Sequence, residues 1–183
     1  MGTTLSKGET LALRPASGTR SIGIAVRQRS ATAISEIDAS MDLSALMVDS
    51  VGRVLSDDHF VFYNAPRSPE GSVTLSYQTS AAGEQSSELL LNLSEVPDGC
   101  DGIAIVVSND DAAPGAAALR VRQTPAGQTL ATLALEERQA GDGTAILAAA
   151  VFRDRENWQF RAVGDVYGGG LGEVASALGV NIS

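Results

Sequence analysis

The chain has little cysteine, histidine or tryptophan, with one of each in 183 residues. The single Cys100 excludes an internal disulfide framework and suits a reducing compartment. One Cys and one His cannot form a zinc site without recruiting carboxylates. Aromatics are scarce at 4%, so the 44% hydrophobic content has to build its core mainly from Val, Ile, Leu and Ala. Positive charge is short as well: 13 Lys and Arg against 22 Asp and Glu leave a net charge of -9. Such a surface repels phosphate backbones and anionic headgroups, so neither nucleic acid nor a membrane surface is expected as a partner. The N-terminus lacks a basic segment followed by an apolar one, and the longest apolar run, Ala145 to Phe152, is too short to span a bilayer. Met1-Gly2 with Ser6 fits the loose myristoylation pattern, but no polybasic stretch supports it. A cytoplasmic location is expected.

What is present is alternation. Ile22, Ile24 and Val26 alternate with small or polar residues, as do Val73, Leu75 and Tyr77, and Leu89, Leu91 and Leu93. Gly102 to Val107 is apolar on both faces, as a central strand would be. Ala117 to Gln123 and Thr129 to Leu135 read as two more strands, and Thr144 to Phe152 with Trp158 to Val163 as a hairpin. Leu171, Val174, Ala175 and Leu178 share a helical face that Gly179 terminates. Thr79–Ser87 and Asn109–Ala118 are low in apolar bulk and read as surface loops. The pattern predicts one domain over residues 1–183, all-β: a β-sandwich of two mostly antiparallel sheets with a short C-terminal helix.

One stretch concentrates chemistry. DDHFVFYNAPRSPEGSV, from Asp57 to Val73, holds the only His and three aromatics, Phe60, Phe62 and Tyr63. On a strand, Asp57 and His59 would share a face. No G-x-S-x-G elbow accompanies them, so a hydrolase reading of His59 with Asp57 lacks its nucleophile. Ser68-Pro69-Glu70-Gly71 suits a turn. Tyr167-Gly168-Gly169-Gly170-Leu171 lacks the Lys-Ser/Thr of a P-loop and reads as a lead-in to the terminal helix.

In order, these motifs resemble the TerD-type tellurium-resistance and stress-response domain. Leu5-Ser6-Lys7-Gly8 is similar to that family's opening L-x-K-G, and Ser40 to Val54 aligns on its D-L-D-A-S-x-x-x-x-D-x-x-G-x-V stretch. Asp57 to Val73 matches its D-x-x-F-x-F-Y/F-N…S-P-D-G-x-V signature, with Glu70 in place of Asp. Trp158 to Gly164, Tyr167 to Leu171 and Gly179 to Ile182 match its close. The resemblance covers essentially the whole chain. It implies a β-sandwich whose loops bind calcium, a signature core strand at Phe60, Phe62 and Tyr63, and a stress or tellurite-resistance role without enzyme chemistry.

Carried over residue by residue, the family's acidic ligands thin out. The first Asp of its D-x-D pair falls on Ser40 and the second on Asp42, its G-D-N on Tyr77-Gln78-Thr79, and its G-D-D-E cluster on Glu84 to Glu88, where two serines interrupt the carboxylates. The resemblance leaves Asp42, Asp57 and Asp110 as metal candidates, with Asn64 and Glu88 beside them. Each lost carboxylate removes charge and up to two oxygens from a cation that wants six to eight. Calcium is therefore expected to bind weakly or not at all, and no organic cofactor is expected. The leading expectation is a non-enzymatic protein acting through protein partners, its oligomeric state open; the alternatives are a calcium-binding module with a weakened site and a structural or assembly subunit.

Overall fold

The computed structural model describes residues 3–14, 23–30, 42–79, 85–108, 117–124, 129–135, 145–155 and 157–181. Their strands are β1 (Thr3–Leu5), β2 (Thr10–Leu13), β3 (Gly23–Ser30), β4 (Asp42–Val48), β5 (Phe60–Val61), β6 (Val73–Thr79), β7 (Gln85–Asn92), β8 (Gly102–Ser108), β9 (Ala117–Thr124), β10 (Thr129–Leu135), β11 (Ala145–Asp154) and β12 (Asn157–Tyr167), followed by helix α1 (Gly170–Ala177). They form two six-stranded sheets. The first runs β1-β10-β9-β3-β7-β6 and the second β2-β12-β11-β8-β4-β5. Every pairing is antiparallel except β1 on β10. No described helix is long and apolar enough to cross a membrane.

The two sheets share one core. Leu89, Leu91, Val121 and Leu133 of the first pack with Met47, Ile103, Ile105 and Phe160 of the second. A second apolar cluster lies on the far side of the second sheet, where Leu46, Ala104, Val106 and Ala145 meet Val174, Ala175 and Val180 of the C-terminal segment. This explains why β8 is buried at every position. The sandwich covers one of its faces and α1 the other, as its unbroken apolar sequence requires. Gly179, at φ +93°, ends the helix, and Val180 donates to the Ala175 carbonyl at 2.9 Å in a left-handed cap.

Three local readings are corrected. The aromatic run is not one core strand: only Phe60–Val61 pairs with β4, while Phe62 bridges Ala65 across a turn and Tyr63 is 52% exposed. Phe60 and Phe62 stack instead at 4.5 Å, with Phe60 in the cluster under α1. Asp57–His59 is a 3-10 turn and not a strand, so the strand-face argument for Asp57 and His59 does not apply. Thr79 belongs to β6 and Gln85 to Ser87 belong to β7, so both ends of the stretch that read as a loop are strand; residues 80–84 lie outside those described. β4 escaped the pattern altogether because both its faces are buried, which erases alternation.

Candidate functional site

Asp42 opens β4, opposite Ser108 of β8, and that row continues through Ala145 to Tyr167 at one end of the second sheet. β5 runs antiparallel to β4, with Leu46 opposite Phe60 and Ala45 opposite Val61, so the chain leaving β5 heads toward this end. Asn64 sits there, in the tight turn that Phe62 and Ala65 close by reciprocal backbone hydrogen bonds of 3.1 and 3.0 Å. Ser44 shares the face of Asp42 by alternation. Its Oγ is buried without a hydrogen-bond partner, an unusual state for a polar atom. Asp110 lies outside the described residues.

The other two candidates stand elsewhere. Asp57 begins the 3-10 turn at the opposite end of β4, where its Oδ1 accepts the Asn181 N–H at 2.9 Å and fastens the end of the chain. Glu88 is in the first sheet, on the face away from the core, and accepts from Arg122 Nη2 at 2.7 Å. Asp42 and Asn64 are thus brought to one sheet end, while Asp57 and Glu88 are held apart from them. Among the described residues, no three His, Cys, Asp or Glu side chains gather closely enough to hold a metal ion.

A network that the sequence did not disclose joins two turns beside the edge strand β5. Ser56 Oγ lies 2.7 Å from His59 Nδ1, His59 Nε2 lies 3.2 Å from Glu70 Oε2, and Ser72 donates to Glu70 Oε1 at 2.6 Å. Ser56 and His59 are three apart on one turn, a signal that was present, but nothing local announces Glu70 across the strand. The order hydroxyl, imidazole, carboxylate is that of a hydrolytic relay. However, Asp57 and Asp58 adjoin Ser56, and their charge opposes an oxyanion forming there. The geometry is that of a clasp between the 3-10 turn and the Ser68–Gly71 turn, whose Gly71 N–H donates to the Ser68 carbonyl at 3.0 Å with φ +81°.

Burial by itself would raise the Glu70 carboxyl. Hydrogen bonds from Ser72, Ser68 and the backbone, with the charge of His59, outweigh it and hold the group below the usual carboxylate range. A depressed folded pKa contributes stability above the unfolded value, near 4.3, and loses it as pH falls through the folded one. Glu70→Gln is expected to cost about 1–2 kcal/mol at neutral pH and progressively less below pH ~4, read from urea unfolding at several pH values. An equal cost at every pH would sink the clasp.

Neither remaining feature supplies chemistry. Cys100 is fully buried, and burial pushes its thiol up to about 11, so it is no nucleophile at neutral pH. A cavity of ≈ 550 Å³ lies over the Val48, Gly102 and Phe152 row, with Asp49, Asp101 and Arg153 at its rim. Asp49 Oδ1 is occupied by the Val51 and Arg53 N–H groups, both at 3.0 Å.

The comparisons with known proteins accord with this frame. Residues 1–178 match the TerD domain. The chain is 31% identical to the tellurium resistance protein TerD of Serratia marcescens over 100% of both chains. It is 31% identical to general stress protein 16U of Bacillus subtilis over 79% of this chain and 80% of that one. A crystal structure of a homologue of telluride resistance protein (TerD) from Streptomyces coelicolor superposes with a TM-score of 0.62 at 17% identity, covering 84% of this chain and 95% of that one, a likeness of fold. The chain belongs to the TerD domain family.

Proposed function

We propose that this protein is a non-enzymatic member of a bacterial stress or tellurite-resistance system, that it works through contacts with other proteins, and that its calcium site is reduced. The observation that carries the first part is the match of residues 1–178 to the TerD domain, with similarity to a tellurium resistance protein along the whole chain. The scatter of the candidate carboxylates supports the last part. Asp57 is spent on a backbone N–H and Glu88 on an arginine, and both stand away from Asp42.

A second reading keeps a weakened calcium site as the direct function. It is favoured by Ser44, whose unpartnered hydroxyl shares a face with Asp42 at the sheet end that Asn64 also reaches. Calorimetry and melting in calcium-stripped buffer separate the two. A millimolar site would raise stability by only about 0.4 kcal/mol in ~1 mM calcium, a shift of roughly 1–2 °C. A micromolar site would add about 4 kcal/mol, or roughly 8–16 °C. The expected result is the small shift and no micromolar heat; micromolar binding abolished by Asp42→Ala would overturn the reduced site.

A further inference from the structure

The register of the first sheet collects positive charge on its outer face. Arg27 stands directly opposite Glu88 on β7 and opposite Arg120 on β9. Two residues earlier on β3, Ala25 stands between Leu90 and Arg122; two residues later, Arg29 pairs with Ala118. Paired and alternate residues share a face. All four arginine positions therefore lie on the side away from the core, since Leu89 and Val121, the intervening residues, line that core.

Among the described residues, Glu88 is the only acidic strand residue on this face; it accepts from Arg122, and 6% of its side chain is exposed. Four of the 13 cationic residues of a chain with net charge -9 thus hold positions on this face, with one carboxylate among its described strand residues. Arg120 is exposed and makes no ion pair with a described carboxylate. The ladder register sets it directly opposite the Arg27 position, and like-charged residue types at paired positions cost stability.

We propose that this face docks an acidic segment of a partner protein, with carboxylates on the arginines and an apolar side chain against Leu90, which is 37% exposed. The inference rests on the protein-contact reading above and supplies the chemistry of the contact. A guanidinium fork matches a carboxylate in two parallel hydrogen bonds. Phosphates would satisfy the same fork, but a long nucleic acid also meets the field of the acidic remainder of the chain. A short acidic segment covers the face alone.

Fluorescence anisotropy with a labelled oligo-glutamate peptide at low salt tests it. The full chain is expected to bind the peptide, to release it as salt rises, and to lose about tenfold in affinity on Arg120→Glu. The same substitution is expected to leave Tm unchanged or raise it by about 1–3 °C, because it sets a carboxylate opposite Arg27. Arg29→Glu provides an independent second loss. Absence of salt-sensitive peptide binding, equal affinity in both variants, or a lowered Tm for Arg120→Glu would overturn the proposal. Tighter binding of a single-stranded oligonucleotide of equal charge would give the face to nucleic acid, and would overturn it too. A partner protein captured equally by the natural chain and by Arg120→Glu would remove this face while leaving the protein-contact reading intact.

Discussion

Arg153→Met is expected to lower unfolding free energy by about 2–4 kcal/mol, read as a reduced urea midpoint with an unchanged slope. The guanidinium does the work of several groups. Its Nε donates to the Cys100 carbonyl at 2.9 Å, and its Nη2 to the Pro97 and Val96 carbonyls at 3.2 and 3.4 Å. Its Cζ lies 4.4 Å from the ring centroid of Trp158, its partner across the β11–β12 ladder. Methionine keeps most of the packing stem but removes the donors to the Cys100 and Val96 carbonyls, while the Pro97 carbonyl keeps the Cys100 N–H at 2.9 Å. Arg153→Lys should recover only a minority of the loss, since one ammonium cannot reproduce the planar fork. Full recovery by lysine would show that charge over the indole, and not the hydrogen bonds, carries the effect.

Phe160→Ala is expected to cost about 3–5 kcal/mol, a large part of the roughly 5–15 kcal/mol that holds a domain together. Phe160 is among the largest fully buried side chains and lies in the core the two sheets share. On its own sheet it stands between Val151 of β11 and Leu11 of β2. Removing the ring leaves a cavity that two hydrogen-bonded sheets cannot readily close. At this chain length the cost corresponds to a fall in Tm of roughly 6–20 °C, measurable by circular dichroism. A cost below about 1 kcal/mol would mean that β2 shifts inward to refill the space.

Phe160 also shows why the family resemblance predicted the fold so well. Trp158-Gln159-Phe160 reads as a signature, and the structure makes it a core device: Trp158 and Phe160 point inward, while Gln159 between them faces away. The same holds for Gly71 and Gly179, where positive φ demands glycine whatever surrounds it. β6, β8, β10, β12 and α1 were legible because alternation and helical spacing are local. β4 was not, since both faces are buried and polar residues stand only at Asp42 and Ser44, too few to mark a period along the strand. β5 was overcalled, because aromatics cluster in a turn whose rings stack on each other as readily as on a core.

The candidate site was legible only as a set of residue types. Asp42, Asp57, Asn64 and Glu88 were each identifiable by motif, but the clasp from Ser56 through His59 to Glu70 was not, and neither was the arginine face. By itself the sequence determined the family, the sandwich class and the depletion of acidic ligands, all properties that local pattern and motif order express. Only the tertiary structure decided that Glu88 faces Arg122 and not Asp42, that His59 answers to Glu70, and that the Arg27 and Arg120 positions share a register. Those neighbours are made by strand register, and register is fixed by which apolar faces find each other across the core, information that no short stretch of chain contains.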